Sequence, residues 1–278
     1  MELSFETIKG SLEEGILSVQ LNRGKVNAID SQMANELIAV IDYAETQEDV
    51  QALILTGYPG CFTAGLDLKS LLSLDEDGVE QFWRYFHQVI LKLVSLDKPV
   101  ATAISGHSPA GGCVLAICSD FRFMAEGKYL IGLNELAVGI PVPALIYELM
   151  AVWVGRRNAY QNLMTSRMLN PSEALQQGLV DAVVPLDELQ TSMRLHLRKI
   201  LKLPSKQWSM TKRNFRKHLE PVLNGAKRRE KPADHASAGL PPAAALDGGF
   251  GRGCWRRGVD LDVALRRVGK VPRFPRRA

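Results

Sequence analysis

Apolar positions along the first 224 residues switch repeatedly between a period near two and a period near 3.6. Leu3–Ile8 and Ile16–Leu21 read as short strands separated by a turn at Glu14-Gly15. Met33, Leu37, Ile41 and Ala44 recur at helical spacing behind Asp30 and Ser31, either of which can cap that helix. Ala52–Thr56 is the kind of continuous apolar run that a strand buried on both faces needs. A helix over Val79–Leu96 gathers Phe82, Phe86, Val89, Ile90 and Leu93 on one side. Pro99–Ser105 predicts another buried strand, running into a Gly-rich turn at Gly106–Gly112, a short helix and a strand at Phe121–Met124. Helices are predicted over about 144–168 and 172–177, with Gly178 closing the second. A strand at Leu179–Val184 and helices over 187–202 and 206–219 complete the pattern. Strands separated by helices imply right-handed crossovers and an α/β layered domain.

Beyond about Asn224 the pattern stops. AGLPPAAALDGGFGRGCWRRG is rich in Gly, Pro, Ala and Arg and keeps neither period, which reads as a disordered or loosely attached tail over 225–278. Composition changes the picture mainly there. The 278 residues are 46% hydrophobic and 23% charged, enough apolar material for a sizeable core. The formal charge of +4 hides a division: residues 225–278 hold 13 Lys and Arg against 5 Asp and Glu. The body is therefore slightly acidic and gives no reason to expect nucleic acid. No run approaches the roughly 20 apolar residues of a membrane span, and the acidic start MELSFETIKGSLEEG has neither a secretory nor a transit pattern. Cys61, Cys113, Cys118 and Cys254 show no paired spacing, which points to a reducing, cytoplasmic setting.

Two segments share one design, a buried strand ending in small residues before a helix start: ALILTGYPGCFTAGLDLKSLL and PVATAISGHSPAGGCVLAICSD. Small residues let a ligand approach the backbone, and helix starts offer unsatisfied N–H groups. Two such donors converging on one point would hold an oxyanion; either segment alone reads rather as a tight turn of an α/β fold, where Gly-rich turns are common. Three alternatives fail on their residues. A phosphate-binding P-loop needs Lys-Ser or Lys-Thr where Cys113-Val114 stands, and a dinucleotide fingerprint is absent near the first strand. Gly106-His107-Ser108 suggests a nucleophile elbow, but the following residue, Pro109, has no N–H to give. The five histidines form no metal-ligand pair, and Cys113 with Cys118 lacks zinc spacing, so no metal site is expected.

Taken together, NRGKVNAID, FTAGLDL, SGHSPAGGCVLAICSDFRF, IGLNELAVGI, NPSEALQQGLVDAVVP and MTKR resemble, in order and over residues 1 to about 222, the enoyl-CoA hydratase/isomerase (crotonase) family. The resemblance implies a crotonase-like spiral of ββα turns over 1–200, a helical C-terminal region starting at 201–224, and assembly as a homotrimer or hexamer. It implies an acyl-CoA thioester substrate, coenzyme A being part of the substrate rather than a cofactor. By resemblance the oxyanion donors are the N–H groups of Ala64 and Gly111, with Gly65, Leu66, Asp67, Leu68 and Asn134 along the substrate path. Arg23 and Lys25 stand either near the CoA phosphates or as a solvated loop pair.

The choice of reaction rests on which acids surround those donors. Hydratases of the family carry two glutamates; here the first position corresponds to Val114 and the second to Glu135 in GLNELAVG. One carboxylate suits a reaction in which one group removes and returns a proton. The pattern is closer to the monofunctional Δ3-Δ2-enoyl-CoA isomerases, with Glu135 moving a proton from C2 to C4 in fatty-acid β-oxidation. The alternatives are a hydratase or another one-acid reaction on a CoA thioester, and, from a different class, a non-catalytic thioester-binding protein with an atypical C-terminus.

Overall fold

The computed structural model describes residues 2–224. Its first strands are β1 (Glu2–Ser4), β2 (Ile8–Glu13) and β3 (Ile16–Leu21). The single strand expected over Leu3–Ile8 is therefore broken. The N–H groups of Glu6 and Thr7 leave the ladder to donate to the Glu36 carboxylate, at 3.1 and 2.8 Å. β2 and β3 join through Glu14 and Gly15, both at positive φ (51° and 75°), the turn that matches strand twist. Asp30 caps α1 (Ser31–Thr46) by accepting from the Met33 N–H.

Three times the chain then repeats one pattern: a long strand, a short strand, and helix. The first turn is β4 (Ala52–Thr56), β5 (Gly60–Cys61), α2 (Leu68–Leu72) and α3 (Glu76–Ser95). The second is β6 (Val100–Ile104), β7 (Gly106–Pro109) and α4 (Gly111–Cys118), and the third is β8 (Phe121–Ala125), β9 (Ile131–Gly132), a 3₁₀ turn at Glu135–Val138 and α5 (Ala144–Met164). The long strands join a seven-stranded sheet in the order β1-β2-β3-β4-β6-β8-β10, where β10 is Ala182–Val184; the short ones form a parallel sheet β5-β7-β9. This is the expected α/β spiral of ββα turns. One expectation fails within it: the first half of the Gly106–Gly112 turn is strand β7. A Cβ on Gly106 would lie 2.0 Å from the carbonyl carbon of Gly60, so only glycine lets β5 and β7 pair.

The large sheet is covered on both faces. On one, Leu17, Leu53, Leu55 and Ile104 pack with Leu37 and Ile41 of α1 and Phe82 and Val89 of α3. On the other, Ile16, Ile54 and Ala103 meet Leu189, Met193 and Leu197 of α7 (Leu189–Ile200), which follows α6 (Pro171–Gln176). Gly178 does follow α6 in the left-handed conformation, φ 78°. β10 is shorter than expected because the N–H groups of Leu179 and Val180 both turn back to the Ala174 carbonyl. α5 ends at Met164 and is interrupted at Gly155 (φ 76°, ψ 155°).

α8 (Ser205–Arg216) docks by charge as well as by packing. Asp120, just after α4, accepts from Lys212 Nζ at 2.7 Å and from Arg216 at 2.8 Å, and all three side chains are nearly excluded from water. The tail expected over 225–278 lies outside the described residues. Among the described residues no helix is long and apolar enough to cross a membrane.

Candidate active site

The segment Phe62–Leu68 lies against the loop from Arg23 to Asp30, and that contact decides which peptide groups face outward. The Ala64 N–H donates to the Val26 carbonyl at 2.8 Å. Ala64 is therefore not free to hold a substrate oxygen, contrary to the expectation from resemblance. Gly65 (φ 84°) then bends the chain; a Cβ there would lie 3.0 Å from the Pro109 carbonyl oxygen and 3.3 Å from the Gly111 nitrogen. Past the bend, the Gly65 carbonyl accepts from the Ile29 N–H and the Asp67 N–H donates to the Ile29 carbonyl, each at 2.8 Å. In such strand-like pairing the peptide groups of the residue between point the other way. The Leu66 N–H accordingly has no hydrogen-bond partner among the described residues.

Gly111 opens α4, where first-turn N–H groups lack helical partners. Ala110 before it holds φ 46° and ψ −115°, a strained backbone for a residue with a Cβ. Its N–H is tied to the Gly132 carbonyl at 2.8 Å, so β9 fixes the turn that aims Gly111. A Cβ on Gly111 would sit 3.0 Å from Leu66 Cδ2. The two unpaired donors, Leu66 and Gly111, thus belong to neighbouring turns that only small residues allow to approach.

Glu135 begins the 3₁₀ turn that follows β9, and Gly139 (φ 81°) closes that turn. The turn is held from outside by the Ala137 N–H, which donates to Ser166 Oγ at 3.0 Å. Glu135 is partly exposed along its length, but its carboxyl Oε2 is shut off from water and has no hydrogen-bond partner. Burial pushes the carboxyl up to about 7, opposed only by its own backbone N–H. Its charge is felt by Cys113 in the first turn of α4, whose thiol burial and Glu135 together raise well above the ordinary range. Leu133 and Ile140, close to the acid in the chain, are buried, whereas Leu136 turns outward and is exposed. Asn134 Oδ1 is a second buried acceptor without a partner. Val114, one residue beyond Cys113, is buried and carries no acid.

The remaining residues divide. Leu66 and Leu68 are half-buried beside the two turns. The Asp67 carboxylate is engaged within the protein: it accepts from the Ser70 N–H at 3.1 Å and pairs with Arg23 at 2.9 Å. Arg23 is half-buried and paired with carboxylates rather than one of a solvated pair, while Lys25 is exposed. Among the described residues no cluster of His, Cys, Asp and Glu is placed to hold a metal ion.

Known proteins are similar to this chain in sequence and fold. The family model described as enoyl-CoA hydratase/isomerase matches residues 11–236. The chain is 34% identical over 205 residues to the mitochondrial enoyl-CoA delta isomerase 1 of Mus musculus, covering 73% of this chain and 71% of that protein. It is 27% identical over 236 residues to a probable enoyl-CoA hydratase of Mycobacterium bovis, covering 84% and 91%. The crystal structure of human mitochondrial delta3-delta2-enoyl-CoA isomerase is similar with a TM-score of 0.77 at 28% identity, over 81% of this chain and 89% of that one.

Proposed function

Because this chain belongs to the enoyl-CoA hydratase/isomerase family, we propose that it shifts the double bond of a 3-enoyl-CoA to the 2-position with Glu135 as its single proton carrier. The observation that carries the proposal is the Glu135 carboxyl, its Oε2 buried and unpaired, near Cys113 in the first turn of α4, where the residue after Cys113 is Val114 rather than a second acid. In this reading the thioester oxygen lies between the N–H groups of Leu66 and Gly111. Glu135 takes a proton from C2, the negative charge moves onto the thioester oxygen, and the protonated carboxyl returns the proton at C4. Each oxyanion donor is worth about 3–4 kcal/mol of barrier. Asn134 Oδ1, unpaired beside the acid, is available to a donor on the substrate.

The mouse isomerase relative supports this reaction, and the Mycobacterium bovis relative makes hydration the competing one. Hydration calls for groups that both orient and deprotonate water, and Val114 supplies neither. The deciding assay follows 3-hexenoyl-CoA isomerisation and crotonyl-CoA hydration on the same preparation. Isomerisation should be faster, and hydration at an equal or higher rate would reject the proposal.

The acid also sets a pH dependence. Only the ionised carboxyl can take the C2 proton, and burial has raised its ionisation to about 7. Isomerase kcat/KM should therefore be flat above that pH and fall about tenfold for each pH unit below it. A profile flat down to pH 5 would show that another group is the base.

A further inference from the structure

We propose that Arg23 is a positioning residue for one of the two oxyanion donors, acting through Asp30 and Asp67 to fix the backbone that presents the Leu66 N–H; this rests on the reading of Leu66 and Gly111 given above. Arg23 Nε pairs with Asp30 Oδ2 at 2.7 Å, and Nη1 pairs with Asp67 Oδ2 at 2.9 Å. Nη1 also donates to the Ala28 carbonyl at 2.9 Å. Three of the five guanidinium N–H groups are thus spent inside the protein.

Each carboxylate divides its oxygens in the same way. Asp30 gives Oδ1 to the Met33 N–H at the start of α1, and Asp67 gives Oδ1 to the Ser70 N–H at the start of α2. One arginine therefore joins the caps of two helices, and so clamps the Arg23–Asp30 loop to the Phe62–Leu68 segment that carries the Leu66 N–H. The joint continues through the backbone: the Arg23 N–H donates to Asn27 Oδ1, Asn27 Nδ2 donates to the Phe62 carbonyl, and the Thr63 hydroxyl donates to the Asn27 carbonyl. Asp67 is then held by its side chain and by its N–H to Ile29, immediately after the residue whose N–H is free. The side chains of Arg23, Asp30 and Asp67 are 28%, 18% and 19% exposed, so these pairs are shielded more than ordinary surface bridges. A lysine has no planar fork to span two carboxylates.

The test separates this role from a contact to the phosphates of CoA. Arg23→Gln and Arg23→Lys are assayed with 3-hexenoyl-CoA and with the N-acetylcysteamine thioester of 3-hexenoic acid, which has no phosphates. A displaced donor should lower kcat about 10- to 100-fold with KM changed by less than about threefold, by the same factor on both substrates, and lysine should restore little. A loss confined to KM, absent on the truncated substrate, or recovered by lysine would overturn the proposal. Infrared difference spectra of bound hexanoyl-CoA, which neither isomerises nor hydrates, read the donors without turnover. Wild type should shift the thioester carbonyl to lower frequency, and folded Arg23→Gln, verified by circular dichroism, should lose much of that shift. An undiminished shift overturns the positioning role alone; no shift in wild type overturns the oxyanion reading and the role with it.

Discussion

Glu135→Gln should lower isomerase turnover at least 10²–10⁴-fold while leaving the affinity for CoA thioesters nearly unchanged. Glutamine keeps the size and polarity of the side chain but cannot accept the C2 proton. The proposed oxyanion donors are backbone N–H groups on the neighbouring turns, which this substitution does not touch, and most ground-state affinity should come from the CoA moiety. Stability supplies an independent readout. The folded carboxyl ionises near 7, above its ordinary value of 4.5. The native protein is therefore favoured while the acid is protonated, and that contribution is lost as pH rises through 7. At pH 8 the uncharged glutamine variant should be the more stable protein, by up to about 3 kcal/mol, and the difference should vanish below about pH 4.5. Steady-state kinetics, thioester binding and thermal unfolding at both pH values check the three statements. Substantial isomerase activity in the variant would mean that the carboxyl is not the proton carrier.

Asp120→Ala should produce the largest loss of stability. One carboxylate holds Lys212 and Arg216 of α8 and accepts the Val100 N–H at 2.9 Å, so it serves the sheet and the C-terminal helix at once. Burial already pulls Lys212 down to about 8 even with Asp120 opposing that fall. Without the carboxylate, two buried cations face each other uncompensated, which costs about 3–5 kcal/mol. For a chain of this size that corresponds to a Tm lowered by roughly 6–20 °C, measured by circular dichroism. Adding Lys212→Met should return part of the loss, because an apolar side chain of similar volume needs no counter-charge. A Tm within about 2 °C of wild type in the single variant would show that α8 docks by packing alone.

The large elements were readable because each buries a periodic apolar face: Met33, Leu37, Ile41 and Ala44 in α1, or Ala52–Thr56 in β4. β7 was not, because Gly106–Pro109 has the composition of a turn and becomes a strand only through its neighbours Gly60 and Ile131. The break before β2 depended on Glu36, some thirty residues away. At the site, the motif singles out Glu135 and Gly111, and the burial of Glu135 Oε2 and the position of Gly111 at the start of α4 could be seen only in the structure. Which N–H of FTAGLDL is unpaired could not be read from the motif. Ala64 and Leu66 both carry an N–H, and only the Val26 and Ile29 carbonyls reveal that the first is used and the second is free. The pairing of Asp67 with Arg23, more than forty residues apart in the chain, is likewise absent from either motif.

The free N–H of Leu66 makes part of this site invisible to side-chain scanning. Truncating Leu66 to alanine removes contact area but keeps the donor, and so would almost any other replacement. Only proline deletes the N–H itself. The bonds of Gly65 and Asp67 to Ile29 leave one residue between them, so a single inserted or deleted residue reverses the aim of the peptide just as a register slip does in a sheet. The segment is therefore open to substitution at Leu66 and closed to a change of length, a constraint written in residue count rather than residue identity.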